Sequence, residues 1–170
     1  MFRKIIRKAS WDYRWTGVYF ITICTKDRIP YFGHIDKRGM HISPMGIIAD
    51  LLMFEIQFHH NVTLIHYCVM PNHIHTLFHI DYPNTTIEIS KLDSKNLPGM
   101  NRFPLKGKNS VSSIIGSYKA SVTRQCHKFN FAFAWQTRFY DEIIVDEAHY
   151  NNVHNYISTN VEKWVERNCT

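Results

Sequence analysis

Apolar positions along this chain switch between a period of two and a period near 3.6, and the switches mark its elements. Residues 17–25 (GVYFITICT) are β-branched and aromatic and predict a strand, ended by Lys26-Asp27-Arg28. A shorter extended piece follows over 31–35. Ser43-Pro44 supplies a serine cap and a first-turn proline, so a helix starts there, with Ile47, Ile48, Leu51, Leu52, Glu55 and Ile56 along one stripe. It should end near His59-His60-Asn61, where the two histidines read as surface residues at a helix C-terminus. Residues 63–80 are almost continuously apolar but broken by Pro71-Asn72. Proline is expelled from sheet interiors, so two antiparallel neighbours are expected, 63–70 and 73–80. Ser110 opens a second helix, to about 128, with Ile114, Tyr118, Val122 and Gln125 on one side. Short extended pieces over 131–135 and 140–145 precede Asp146, which caps a last helix striped by Tyr150, Val153, Ile157, Val161 and Val165. The order predicts an α+β fold with a mainly antiparallel sheet.

At 170 residues, the chain predicts one domain over 1–170, long enough to bury a core. Two segments escape the periodicity. The arm 1–10 clusters Arg3, Lys4, Arg7 and Lys8, which read either as a solvated tail or as contacts to a nucleic-acid backbone. Over 81–109, Pro83, Pro98, Gly99, Pro104 and Gly107 interleave with Lys91, Lys95, Arg102, Lys106 and Lys108, predicting a flexible basic loop. The formal net charge of +6 suits a polyanionic partner. Lys119 and Arg124, on the second helix, join the arm as candidate DNA contacts. Four cysteines (Cys24, Cys68, Cys126, Cys169) form no CxxC pair, which favours a reduced, cytoplasmic setting. The apolar stretch 46–58 is interrupted by Asp50 and Glu55, so no membrane association is expected.

The chemistry centres on Val69-Met70-Pro71-Asn72-His73-Ile74-His75. On a strand, residues two apart share a face, so His73 and His75 point one way and Ile74 points into a core. Two imidazoles placed like this make half of a metal site. On the last helix Tyr156 and Asn160 are four residues apart and share a face. A phenol and an amide oxygen could thereby meet the histidines. Neutral imidazoles with an amide oxygen form a mixed N/O set that suits Mg²⁺ or Mn²⁺ at least as well as closed tetrahedral zinc. Other assignments stay open from the residues alone: Tyr140 or Tyr150 as the reactive phenol, or a zinc site from His66, Cys68, His73 and His75.

With those residues in view, the chain resembles the single-tyrosine HUH transposases, the family that includes the REP-associated tyrosine transposases. The likeness covers nearly the whole chain. It rests on the strand 17–28, on the segment Val69 to His75, on the helix around Ile114 to Thr123, and on Trp135-Gln136 through Asn155-Tyr156-Ile157-Ser158-Thr159-Asn160. The chain departs from the family at Glu142 and Val145, where a histidine and an arginine are frequent, and at Val161, where a proline is common.

The resemblance implies a ferredoxin-like, RNA-recognition-type antiparallel sheet with helices packed on it. It implies an enzyme that cleaves and rejoins single-stranded DNA, with hairpins, through a 5′-phosphotyrosine, as in DNA transposition. Carried over residue by residue, His73, His75 and Asn160 would hold the divalent ion, and Tyr156 would be the nucleophile. Free phenol is ionised to only about one part in a thousand at pH 7, so metal proximity or a base is needed to activate it. A homodimer acting on bacterial nucleoid DNA is also implied, with no small-molecule substrate. A reading from another class is a non-catalytic single-strand binder, with Tyr19 and Phe78 as stacking platforms.

Overall fold

The computed structural model describes residues 16–80 and 110–168. The arm 1–10, with Arg3, Lys4, Arg7 and Lys8, and the loop 81–109 lie outside the described residues. The elements follow in the order β1 (Gly17–Thr25), β2 (Gly33–Asp36), β3 (Gly39–Ile42), α1 (Pro44–His59), β4 (Val62–Met70), β5 (His73–Ile80), α2 (Val111–Lys128), β6 (Trp135–Ile143), α3 (Glu147–Ser158) and α4 (Asn160–Asn168). The main sheet has the order β4-β5-β1-β6, antiparallel at every pairing. With α1 and α2 as crossovers, this is the β-α-β-β-α-β order of a ferredoxin-like fold. Strands β2 and β3 form a separate two-stranded hairpin.

Strand parity splits the sheet into a core face and a site face. Tyr19, Ile21 and Ile23 of β1 and Ile74, Phe78 and Ile80 of β5 are buried with Ala49, Met53 and Ile56 of α1 and Ile114, Ile115, Tyr118 and Val122 of α2. Each such aliphatic side chain contributes about 1.5–3 kcal/mol of burial. The opposite face carries a smaller cluster: Leu77 with Val153 and Ile157 of α3, flanked by Val18, Phe20, Ile65, Cys68 and Tyr150.

The helix caps are where the sequence places them. Ser43 Oγ accepts from Gly46 N at 3.1 Å, Ser110 Oγ from Ser113 N at 3.2 Å, and Asp146 Oδ1 from His149 N at 2.7 Å.

Several expectations are corrected. Ile47 and Leu51 do not face the core; they are exposed with Phe54 and Phe58, while Ala49, Met53 and Ile56 are buried. Helix α1 is apolar nearly all round, so periodicity could not choose its inner face. On α2 the buried position is Cys126, not Gln125. The piece expected over 31–35 is instead the first arm of the β2–β3 hairpin, with Gly33 at φ +138 where a Cβ would collide with the His41 carbonyl. Of the two short pieces expected after α2, residues 131–134 form no strand, and a single strand, β6, runs over Trp135–Ile143.

The last helix is two. Ser158 Oγ and Thr159 Oγ1 bond back to the carbonyls of His154 and Asn155 at 3.0 and 2.7 Å, and the chain breaks at Thr159. Tyr19 and Phe78 are both 0% exposed beneath α1 and α2, so neither can stack on a base.

Candidate metal centre and nucleophile

Strand β5 is interior, paired with β4 on one side and β1 on the other. His73 and His75 stand on its site face. The histidines follow a two-residue turn, Pro71-Asn72, between paired Met70 and His73. That turn is tied to the loop after β1: Asn72 O accepts from Thr25 N at 3.0 Å, and Pro71 O from Phe32 N at 3.0 Å. The loop itself holds Asp27 and Arg28 at φ 52 and 57. Such left-handed conformations are costly for residues other than glycine and gather at functional sites.

Asn72 fixes the tautomer of His73. Its Nδ2 donates to Arg28 O at 3.2 Å, and a carbonyl can only accept. Oδ1 therefore faces His73 Nδ1, at 2.7 Å, and that nitrogen must carry the proton. That leaves the lone pair on His73 Nε2, which faces His75 Nε2. His75 Nδ1 lies 2.8 Å from Thr22 Oγ1, a hydroxyl able to donate or accept, so either tautomer of His75 is supported. Partners of this kind on the far ring nitrogen orient metal-binding histidines.

Burial keeps both rings neutral. Desolvation, helped by the Arg28 cation, pulls His73 down to about 4. Desolvation, then His73 and Arg28, pull His75 down to about 3. A neutral imidazole needs to lose no proton to bind a metal.

Three atoms converge here. His73 Nε2 is 3.1 Å from His75 Nε2, and Tyr156 Oη is 3.2 Å from the same His75 nitrogen. Phe20 stacks on His75 (5.4 Å between centroids, 25°) and meets Tyr156 edge-on (6.1 Å, 85°), aligning ring and phenol. Tyr156 is 41% exposed, so the side chain lies at the surface of the site.

Asn160 is 5% exposed at the α3–α4 junction, and its side-chain nitrogen has no hydrogen-bond partner among the described residues. No hydrogen bond joins it to either histidine among those residues. The donor set fits a divalent cation. Nitrogens on one ion at about 2.1 Å and at right angles lie about 3.0 Å apart, close to the His73–His75 separation. The unpartnered atom of Asn160 is its amide nitrogen, which cannot ligate a cation, so a third donor from this residue would be its oxygen.

The rival phenols and ligands sit elsewhere. Tyr140 pairs with Thr22, which pairs with His75, so it shares the site face but stands two strands from the histidine. Tyr150 packs in the apolar cluster of α3. His66 turns to Ser158 Oγ (3.0 Å) and stacks on His154, away from His73. The Cys68 thiol is pushed up to about 11 by burial and by Asp50 and stays protonated. No four-ligand set of His66, Cys68, His73 and His75 forms among the described residues.

Lys119 donates to Gln136 O (2.6 Å) and Thr137 O (3.2 Å), tying α2 to β6, and Arg124 bonds Ser121 Oγ at 3.2 Å. Both stand on α2, which packs the face opposite the histidines. Sequence reasoning missed Arg28, Thr22, Asn72 and Phe20. Only Asn72 left a signal, as part of the Pro-Asn interruption.

Comparison with known proteins places this geometry. The chain is 34% identical over 169 residues to a protein of Haemophilus influenzae described as an uncharacterized protein, covering 95% of this chain and 89% of that one. The two belong to one family. No protein-family model matches. Among solved structures, a REP-associated tyrosine transposase bound to a REP hairpin is similar at TM-score 0.61 and 16% identity, over 90% of this chain and 72% of that one. A putative transposase from Deinococcus radiodurans R1 is similar at TM-score 0.50 and 12% identity, over 85% and 91%. The fold is transposase-like. Among the described residues no helix is long and apolar enough to cross a membrane.

Proposed function

We propose that the protein cuts and rejoins single-stranded DNA carrying hairpins, by transesterification at Tyr156, and that it does so as a homodimer. The observation that carries this reading is the approach of Tyr156 Oη to within 3.2 Å of His75 Nε2, beside His73 Nε2. The likeness of fold to a hairpin-bound tyrosine transposase supports it. His73, His75 and Asn160 would hold Mg²⁺ or Mn²⁺, which when bound polarises the scissile phosphate and offsets charge growing on its oxygens.

Tyr156 Oη attacks phosphorus and gives its proton to water. The bond from phosphorus to the 3′ oxygen breaks, the 3′ oxygen takes up a proton, and a 5′-phosphotyrosine remains. An incoming 3′-hydroxyl then attacks the same phosphorus, the bond to Tyr156 breaks, and the phenol is restored. One phosphodiester is exchanged for another, so no outside energy source is needed. Arg28, close enough to depress both histidines, supplies positive charge for the strand's phosphates. The alternative of a non-catalytic binder loses its proposed platforms, since Tyr19 and Phe78 are buried.

The test is a labelled hairpin-bearing single strand incubated with protein and Mn²⁺ and run on an SDS gel. Wild type should leave a covalent adduct on the fragment with the new 5′ end, and Tyr156→Phe none. An adduct surviving in Tyr156→Phe overturns the nucleophile assignment. Wild type that binds DNA without any adduct favours the binding module.

A further inference from the structure

The β2–β3 hairpin carries a group of ligating side chains that the reaction above does not use. His34 and Asp36 are two apart on β2 and share a face, and His34 is the cross-strand partner of His41 on β3. One ligand atom from each lies within 4.8 Å of the others. The two rings are stacked, 4.8 Å between centroids and 7° from parallel. His41 Nε2 is 2.9 Å from Asp36 Oδ1, yet this nitrogen, closed to solvent, has no partner in hydrogen-bond geometry. Asp36 is also held in place, since Oδ1 accepts from Arg38 N at 2.7 Å. That bond and His41 keep its carboxyl below the usual carboxylate range, hence ionised.

We propose that His34, Asp36 and His41 form a second divalent transition-metal site, separate from His73 and His75. Two imidazoles and one carboxylate form a mixed N/O set that matches Zn²⁺, Ni²⁺ or Co²⁺. Donors on one tetrahedral ion with bonds of about 2.1 Å lie about 3.4 Å apart, so the set must close by roughly 1.4 Å. The exposed His34 ring has room to do this. The competing cation, Arg38, is 3.8 Å from Asp36 Oδ2 and 86% exposed, a weak rival for the carboxylate.

The consequence is mechanical. A two-stranded hairpin is marginal alone, and α4, which begins at Asn160, packs against both β2 and β3. An ion joining His34 to His41 ties the two strands together beneath that helix.

Tag-free, chelator-stripped full-length protein, titrated with Zn²⁺ by calorimetry and with Co²⁺ by visible absorption, tests this. The variants are His34→Ala/His41→Ala, His73→Ala/His75→Ala and the milder Asp36→Asn. Wild type should bind one more equivalent of Zn²⁺ than His34→Ala/His41→Ala. The Zn²⁺-induced rise in Tm should persist in His73→Ala/His75→Ala and shrink in the hairpin variant. Asp36→Asn should weaken the same equivalent about tenfold or more, which keeps the result readable should the double variant fold poorly. Equal stoichiometry in wild type and His34→Ala/His41→Ala, or an unchanged Co²⁺ spectrum, overturns the proposal. Because the two double variants are read separately, loss of the His73–His75 site leaves this outcome unaffected.

Discussion

Protons would compete with the proposed metal for the nitrogens of His73 and His75, and protonation alone has a calculable effect on stability. The perturbation is a fall in pH from 7.5 to 5.5 with metal removed by chelator. In the folded chain these rings titrate at about 4 and about 3, held down chiefly by burial, against an ordinary value near 6.5 in the unfolded chain. Between those values the unfolded state binds more protons, so stability is fully present above about pH 6.5 and is lost as pH falls. At pH 5.5 the unfolded rings are roughly nine-tenths protonated and the folded rings neutral, which costs about 1.3 kcal/mol per histidine. The pair should lose about 2.6 kcal/mol, a large share of a typical domain stability of about 5–15 kcal/mol. Urea unfolding followed by tryptophan fluorescence at the two pH values measures it, in wild type and in His73→Gln/His75→Gln. His66, also lowered by burial and by His154, is present in both proteins and cancels in the difference. Adding Mn²⁺ at pH 7.5 should stabilise wild type and widen its gap to pH 5.5. If the double variant loses as much stability as wild type on acidification, the histidines are not buried and neutral as argued, and the metal-binding argument fails with them.

Asn72→Ala removes the group that fixes the His73 tautomer, and Mn²⁺ affinity measured by calorimetry should fall about 10- to 100-fold. Arg28→Ala should weaken single-strand binding without abolishing it. It should also flatten the plot of log affinity against log salt by about 0.7, as expected for one lost phosphate contact. On α1 the exposed residues Ile47, Leu51, Phe54 and Phe58 repeat at four, three and four positions, the spacing of a helix–helix seam. With a second copy as the occupant, light scattering at tens of micromolar should give a dimer for wild type and a monomer for Leu51→Glu/Phe54→Glu. A wild-type monomer refutes the homodimer.

Where one alternation governed the structure, the sequence was readable. The faces of β5 follow from parity alone: His73, His75 and Leu77 fall on one side, Ile74, Phe78 and Ile80 on the other. That same parity could have excluded Phe78 as a stacking platform, since it stands an odd number of positions from the histidines. Tyr19 was harder, because its face depends on the pairing of β1 with β5, and register is a long-range property. Thr22 was hidden for the same reason, as it reaches His75 only as its cross-strand partner. Strand β3 was missed because Gly-Met-His-Ile is too short to show a period. The faces of α1 were illegible because leucine, isoleucine, methionine and phenylalanine surround it. The proximity of Tyr156 to His75 rests on α3 crossing the site face, which no local pattern encodes.

The candidate ligand atoms and the proposed nucleophile are held by different means. His73 and His75 sit on an interior strand, with Asn72 and Thr22 fixing their far nitrogens, and Asn72 in turn bonded to the loop after β1. The atoms that fix the far nitrogens of the pair therefore belong to the sheet or to turns bonded to it. Tyr156 instead rides on α3, docked through the small cluster of Leu77, Val153 and Ile157 and steered by the edge of Phe20. Few buried apolar contacts mean a low local free energy of opening, and the proposed reaction requires α3 to lift while the histidines keep their geometry. The proposed strand exchange asks for this asymmetry: the phosphate would have to stay where it is polarised, while the phenol would arrive, carry the 5′ end, and give way to an incoming 3′-hydroxyl.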